Sequence, residues 1–225
     1  MLASVPPATD VAGGDGAVNT DTMKKEKDNE ALPQVEGYTA ERRTISILAA
    51  NLWALVLLFV AGVAGVAAIA AMWDEYSYGG SDWLWFLAMM VVGLVVHELV
   101  HGLTWLLLVH KGFSHLSFGV MTGAVYCHID VPMAKRQYVV GALMPLVLVG
   151  VVPWVAGIAA GSMLWMAAGA AMIAGAAGDL MIVWALRKEE ATALVYDHPS
   201  EAGCYVYRKA AHADDDAATG TGAGE

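Results

Sequence analysis

The sequence predicts an all-α, polytopic membrane protein: four transmembrane helices, a short re-entrant β-hairpin and a small cytoplasmic C-terminal hairpin. Three observations predict it. Hydrophobic residues make up 58% of the 225 positions and charged residues only 15%, which is too apolar for an ordinary soluble domain. Residues 44–186 hold three of the 12 Lys and Arg and six of the 22 Asp and Glu, so the charge sits at the two ends. Finally, residues 45–72, 83–109, 138–160 and 162–186 are four apolar segments, each at or beyond the roughly 20 residues that a bilayer crossing requires.

Residues 1–40 mix Gly, Pro and Ala with the charged run Lys24-Lys25-Glu26-Lys27-Asp28. They have no apolar periodicity, which predicts a disordered tail ahead of a membrane domain over residues 41–208. Four crossings place both termini on one side. The connection 73–82 and the Gly161 turn carry no Lys or Arg, whereas 110–137 carries Lys111, Lys135 and Arg136, and Arg187, Lys188, Arg208 and Lys209 follow the last segment. The excess of cations on the inner side then predicts a multi-pass protein of the cell membrane with both termini cytoplasmic. Trp73, Trp83 and Trp85 form an outer aromatic belt.

The third segment contains Pro145 and Pro153, each lacking a backbone donor, which predicts a kinked helix beside a polar cavity. The fourth is rich in small residues, among them Gly169, Gly175 and Gly178, a composition that allows close approach between helices. Residues 113–131 are moderately apolar, interrupted by Gly119 and Gly123, and too short to go out and back as helices; they predict the re-entrant hairpin. Residues 193–196 and 204–207 read as two short strands around Asp197-His198-Pro199-Ser200, and 209–225 as a disordered acidic tail.

Composition also excludes partners. The net charge of -10 is spread as -3 over residues 1–43, -3 over 44–186 and -4 after residue 186, with no basic stripe, so nucleic acid is not an expected partner. The lipid bilayer is. Two cysteines, Cys127 and Cys204, make no disulfide framework and are expected as free thiols.

The chemistry lies in the second segment, at His97-Glu98-Leu99-Val100-His101. Positions i and i+4 of a helix differ by about 40° around the axis, so both imidazoles project from one face, one turn apart, and can share a tetrahedral ion. Glu98 flanks that face, where a carboxylate can serve as general base without being a ligand. Two His and a Glu on one lipid-embedded face are costly without a strong partner, and Zn2+ is the expected one.

A hydrolytic zinc site needs a third ligand and an open position for water. Asp179 is the first choice, being the only acid of the fourth segment, with Gly178 expected to permit close contact with the second. Helices two and four run in the same direction; His101 lies eight residues before Val109 and Asp179 seven before Leu186, which puts both about 10 to 12 Å inside the cytoplasmic surface. His128, Asp130 and Asp197 are alternative third ligands. Tyr126, His128 and Pro145 are expected to line a path for water or substrate.

The chain resembles the membrane zincin peptidases, which are similar in pattern to site-2 proteases. The resemblance rests on His97-Glu98-Leu99-Val100-His101-Gly102, Tyr126-Cys127-His128, Pro132, Tyr138, Leu143-Met144-Pro145, Gly178-Asp179, Asp197-His198-Pro199 and Gly203-Cys204. It spans about residues 40–208. The resemblance implies a membrane-embedded zinc-dependent endopeptidase that takes its third ligand from an Asp on a later helix. Site-2 proteases usually follow that Asp with Gly, whereas here Leu180 follows it and Gly178 precedes it.

The expected function is therefore hydrolysis of peptide bonds in membrane-embedded or membrane-proximal protein substrates. The alternative is a non-catalytic metal-binding membrane protein, a zinc transporter or sensor. A transporter would carry ionisable residues on several helices, yet residues 45–72 contain none.

Overall fold

The computed structural model describes residues 32–210, apart from residues 78, 122, 123, 199 and 200. Every element below lies within one compact unit, Val35–Glu225. Residues 1–31 and 211–225 of the expected tails, Gly123, and the second half of the expected 197–200 turn lie outside the described residues.

The first helix, α1 (Ile47–Met72), starts where the Ser46 hydroxyl accepts the Ala49 amide at 3.3 Å, and stops where Trp73 turns extended. The Trp73 indole then donates to Ile158 O at 2.9 Å. In α2 (Asp82–Val109), Asp82 accepts the Gly79 amide at 2.8 Å and complements the positive helix start. Its last turn closes on His110, which adopts a left-handed conformation with φ 55°.

The third apolar stretch is one span, Lys135–Ala159, built from α3 (Lys135–Pro145), a π-helical turn (Leu146–Val151) and α4 (Val152–Ala159). The wide turn lies between Pro145 and Pro153, where the missing donors weaken the regular ladder. After the Gly161 turn, with φ 63°, the chain runs back through α5 (Met163–Gly175) and α6 (Ala177–Leu186). Gly157 and Gly169 bring α4 and α5 together, since a β-carbon at either position would overlap the facing backbone at Met166 or Trp154.

Among the described residues, three helices are thus long and apolar enough to cross a membrane, and a fourth if α5 and α6 count as one span. The segment expected as one straight helix over 162–186 is instead bent by 40° between its halves. The outward faces are apolar too: Phe59 is 70% exposed and Leu107 75%. Such surfaces are compatible with a lipid surround.

Six strands among the described residues make the architecture mostly helical rather than the expected all-α. The hairpin β2 (Leu116–Met121) and β3 (Ala124–Ile129) pairs Leu116 with Ile129, as the Gly-interrupted stretch predicts. A second, antiparallel sheet has the order β1-β6-β5-β4, from β1 (Tyr38–Thr44), β4 (Met133–Ala134), β5 (Leu194–Asp197) and β6 (Gly203–Lys209). The expected C-terminal hairpin is its centre. β1 starts inside the stretch 1–40 expected as a tail: its sequence is charged because it covers an edge, pairing Tyr38 with Lys209 through Thr44 with Gly203.

This sheet closes over one end of the helices. Val195 and Val206 are fully buried against Leu186, and Trp105, Tyr138 and Ile129 join the same core. Glu189, just past α6, fastens β1 to β6: it accepts from Arg208 Nε and Nη2 at 2.8 Å each and from Arg43 Nη2 at 3.3 Å. Lys135 Nζ donates to its backbone carbonyl at 2.6 Å. The end of α6 and the start of α3 are thereby held to the sheet.

Candidate active site

The i, i+4 spacing on α2 has the predicted consequence. His97 Nε2 and His101 Nε2 converge to 3.2 Å, and the Asp179 carboxylate meets both, with Oδ2 3.2 Å from His97 Nε2 and Oδ1 3.4 Å from His101 Nε2. One ligand atom from each of the three lies within 4.8 Å of the others. Ligands about 2.0–2.1 Å from a tetrahedral zinc stand about 3.3 Å apart, close to the 3.2 Å between the two imidazole nitrogens and to the 3.2 and 3.4 Å that separate each from one oxygen of the carboxylate. Two imidazoles and one carboxylate also leave the fourth tetrahedral position for water, so the residues present fit zinc.

Each ligand is aimed by its own element. His101 Nδ1 donates to Gly141 O at 3.0 Å, because a carbonyl only accepts; the Nε2 lone pair is thereby turned toward His97 and Asp179. The His101 ring stacks on Trp105 (centroids 5.2 Å, 18°), and Trp105 stacks on Tyr138 (5.3 Å, 20°) while its indole donates to Tyr138 O at 3.1 Å. Gly141 is required here: a β-carbon would fall onto the Trp105 ring. Asp179 sits in the first turn of α6, so the bend at Ala176 turns a fresh helix start, with its partial positive charge, toward the carboxylate. A β-carbon on Gly178 would meet Ile45 Cδ1 at 3.7 Å, so Gly178 does not provide the close contact with α2 expected of it; on α2 itself Gly93 packs closely against Met172 of α5, and Gly102 against Cys127 and Leu116 of the hairpin.

His101, Glu98 and Asp179 line a cavity of ≈ 180 Å³. Glu98 and the two histidines are buried, Glu98 at 9% exposure. β3 contributes Val125, Tyr126 and Cys127 to the wall, α3 contributes Tyr138, and the β5–β6 connection contributes Asp197 and His198. Burial pushes the Cys127 thiol up to about 12, with the Glu98 charge adding to it, so this thiol stays protonated.

Of the residues expected along the path, Tyr126 lies in the cavity wall, whereas Pro145 is buried in α3 and outside the lining. His128 is also outside it: buried, it donates through Nδ1 to Asp197 Oδ2 at 3.1 Å. The other oxygen of Asp197 accepts the Tyr138 hydroxyl at 3.0 Å. Asp130 pairs with His115 at 2.7 Å on the surface. Among the described residues, His97, His101 and Asp179 form the one group of three or more such side chains able to hold a metal, and His128, Asp130 and Asp197 are not part of it.

Sequence reasoning missed Gly141 and Trp105. The signal for Trp105 was present, one further turn along the face that carries His97 and His101. The carbonyl of Gly141 left no mark in its residue type.

Residues 90–194, a stretch that takes in His97, Glu98, His101 and Asp179, match the model of a family described as "Putative zincin peptidase". The match supports a zincin assignment and points to a zinc metallopeptidase, with which the group of His97, His101 and Asp179 is compatible. No curated protein and no solved structure matches the chain.

Proposed function

We propose that this chain is a site-2-protease-like intramembrane zinc endopeptidase, cleaving membrane-embedded or membrane-proximal protein segments, with Glu98 as general base. The observation that carries the reading is the convergence of two imidazoles and a carboxylate within 3.2–3.4 Å, on apolar helices, beside a buried glutamate that shares a cavity with His101 and Asp179. His97, His101 and Asp179 hold the ion. When bound, zinc supplies the Lewis acidity that makes water nucleophilic near neutral pH and polarises a peptide carbonyl. Glu98 accepts the proton of the attacking water at its carboxylate and returns it to the leaving amine. Burial of that carboxylate among α2, β3 and α6 keeps competing water away from it.

A protease requires an extended substrate, and the hairpin supports one. β3 pairs with β2 on one side, and its residues Val125, Tyr126 and Cys127 line the cavity, where an unwound substrate segment can add as a strand. The basic residues around 110–137 and after 186 support an orientation with the termini and the sheet in the cytoplasm, so that water reaches the cavity from that side.

Purified protein in non-chelating detergent buffer tests this. Zinc near one equivalent is expected by elemental analysis, lost in His97→Ala and Asp179→Ala. Glu98→Gln is expected to retain the zinc and lose cleavage of fluorescence-quenched transmembrane peptides by a factor of about a hundred or more. A Glu98→Gln protein that cleaves at the wild-type rate would sink the general-base role, and a metal-free wild type would sink the whole proposal. A transporter or sensor would keep its activity in that variant.

A further inference from the structure

Pro145 does not line the cavity, yet its position in α3 is four residues after Gly141. In an α-helix the amide of residue 145 would donate to the carbonyl of residue 141, and proline has no amide to give; its ring also crowds that carbonyl off the helix axis. The next amide, Leu146 N–H, goes to Leu143 O instead. Gly141 O is the carbonyl that accepts His101 Nδ1–H at 3.0 Å. It lies inside a helix, where a carbonyl would ordinarily be engaged by its own ladder.

We propose that Pro145 is a positioning residue for the metal site: by withholding its amide it releases the Gly141 carbonyl to His101, which fixes the proton on Nδ1 and leaves Nε2 as the ligand atom. The inference rests on the zinc-site reading above. Neither a kink for its own sake nor a wall for water explains the placement as well, because Pro145 is buried and the wide π turn begins only after it. Pro153, eight residues on, serves as the internal comparison. In the π register there, where Val152 N–H reaches Val147 O, the carbonyl it releases is that of Leu148, and the bonds of His97, His101 and Asp179 lie elsewhere.

The test is Pro145→Ala in the full chain, set beside Pro153→Ala, with zinc affinity measured by competition against a chromophoric chelator. Alanine restores the amide, draws the Gly141 carbonyl back into the helix ladder, and should raise thermal stability or leave it unchanged while weakening zinc by about tenfold or more, as loss of a partner to a ligating imidazole does. Pro153→Ala should bind zinc as the wild type does. With Co2+ in place of zinc, the visible bands should shift in Pro145→Ala only. Affinity within about twofold of wild type in a folded Pro145→Ala protein overturns the inference while leaving the zinc site standing; equal losses in both proline variants also overturn it. An independent measurement needs no variant: ring 15N shifts of the zinc-loaded wild type should show the His101 proton on Nδ1 and the metal on Nε2, and the reverse assignment overturns the inference. A wild type that holds no zinc defeats the parent reading and is distinguishable from both.

Discussion

Gly141→Ala is the sharpest structural perturbation of the site that leaves every ligand in place. The added β-carbon would stand 2.9 Å from Trp105 Cε2 and closer still to Cδ1 and Nε1, inside the contact of about 3.5 Å that carbon atoms hold. Trp105 is 4% exposed and stacked between His101 and Tyr138, so it has nowhere to move without leaving the stack. Overpacking of this kind costs about 1–3 kcal/mol. Loss of the indole bond to Tyr138 O adds about 0.5–1.5 kcal/mol, and the better helix preference of alanine returns about 0.5–1 kcal/mol. The net is about 0.5–4 kcal/mol, or a melting temperature lower by about 1–16 °C for a chain of this size. A thiol-reactive fluorescent dye reads the transition, because Cys127 (6% exposed) and Cys204 (fully buried) become accessible only on unfolding. Gly175→Ala is the control: its β-carbon meets nothing within 4 Å, and its melting temperature should stay level or rise slightly. Zinc content should fall in Gly141→Ala alone, as Trp105 drags the His101 ring with it. Identical melting and zinc content in the two variants would refute the account of how His101 is held.

Three further outcomes follow from the sheet and its thiols. Hydrogen bonds from Arg208 hold the Glu189 carboxyl below its ordinary range; a folded-state value that is depressed contributes stability above the unfolded value of about 4.3, lost as pH falls through the folded one. Melting temperature should therefore drop on acidification below that point, and Glu189→Gln should start lower and show a flatter profile there; an unchanged profile would remove Glu189 from the account. Burial pushes both Cys127 and Cys204 up to about 12, so neither should be alkylated by N-ethylmaleimide at pH 7.5 in the folded protein, as intact mass measures. Gly169→Val should weaken the α4–α5 contact, because its branched side chain meets the Trp154 backbone, and lower the stability by about 1–3 kcal/mol, read as a drop in melting temperature.

The apolar segments and the zinc motif were legible in residue types because both depend on local periodicity. A run of apolar side chains marks a helix that crosses lipid wherever it packs, and the spacing of His97 and His101 places two rings on one face whatever surrounds them. The hairpin was legible for the same reason, in the glycine-broken stretch that became β2 and β3. Asp179 could be ranked first from depth along its helix, but the contact expected to bring it there, Gly178 against α2, is not the one that forms.

What tertiary structure decided were the contacts made through backbone atoms or across long separations. β1 joins β6 from 159 or more residues away, and nothing in the charged run Glu41-Arg42-Arg43 marks a strand until Glu189 and Arg208 are placed beside it. The bend at Ala176, which delivers Asp179 at a helix start, lies just after Gly175, one of several small residues in that segment and not marked by its type as the point of the break. Gly141 matters for a carbonyl that every residue possesses and for a side chain it lacks; only the placement of Trp105 and His101 gives either one a meaning. Side-chain chemistry is written position by position, whereas the direction of a main-chain dipole is known only once the helices have met.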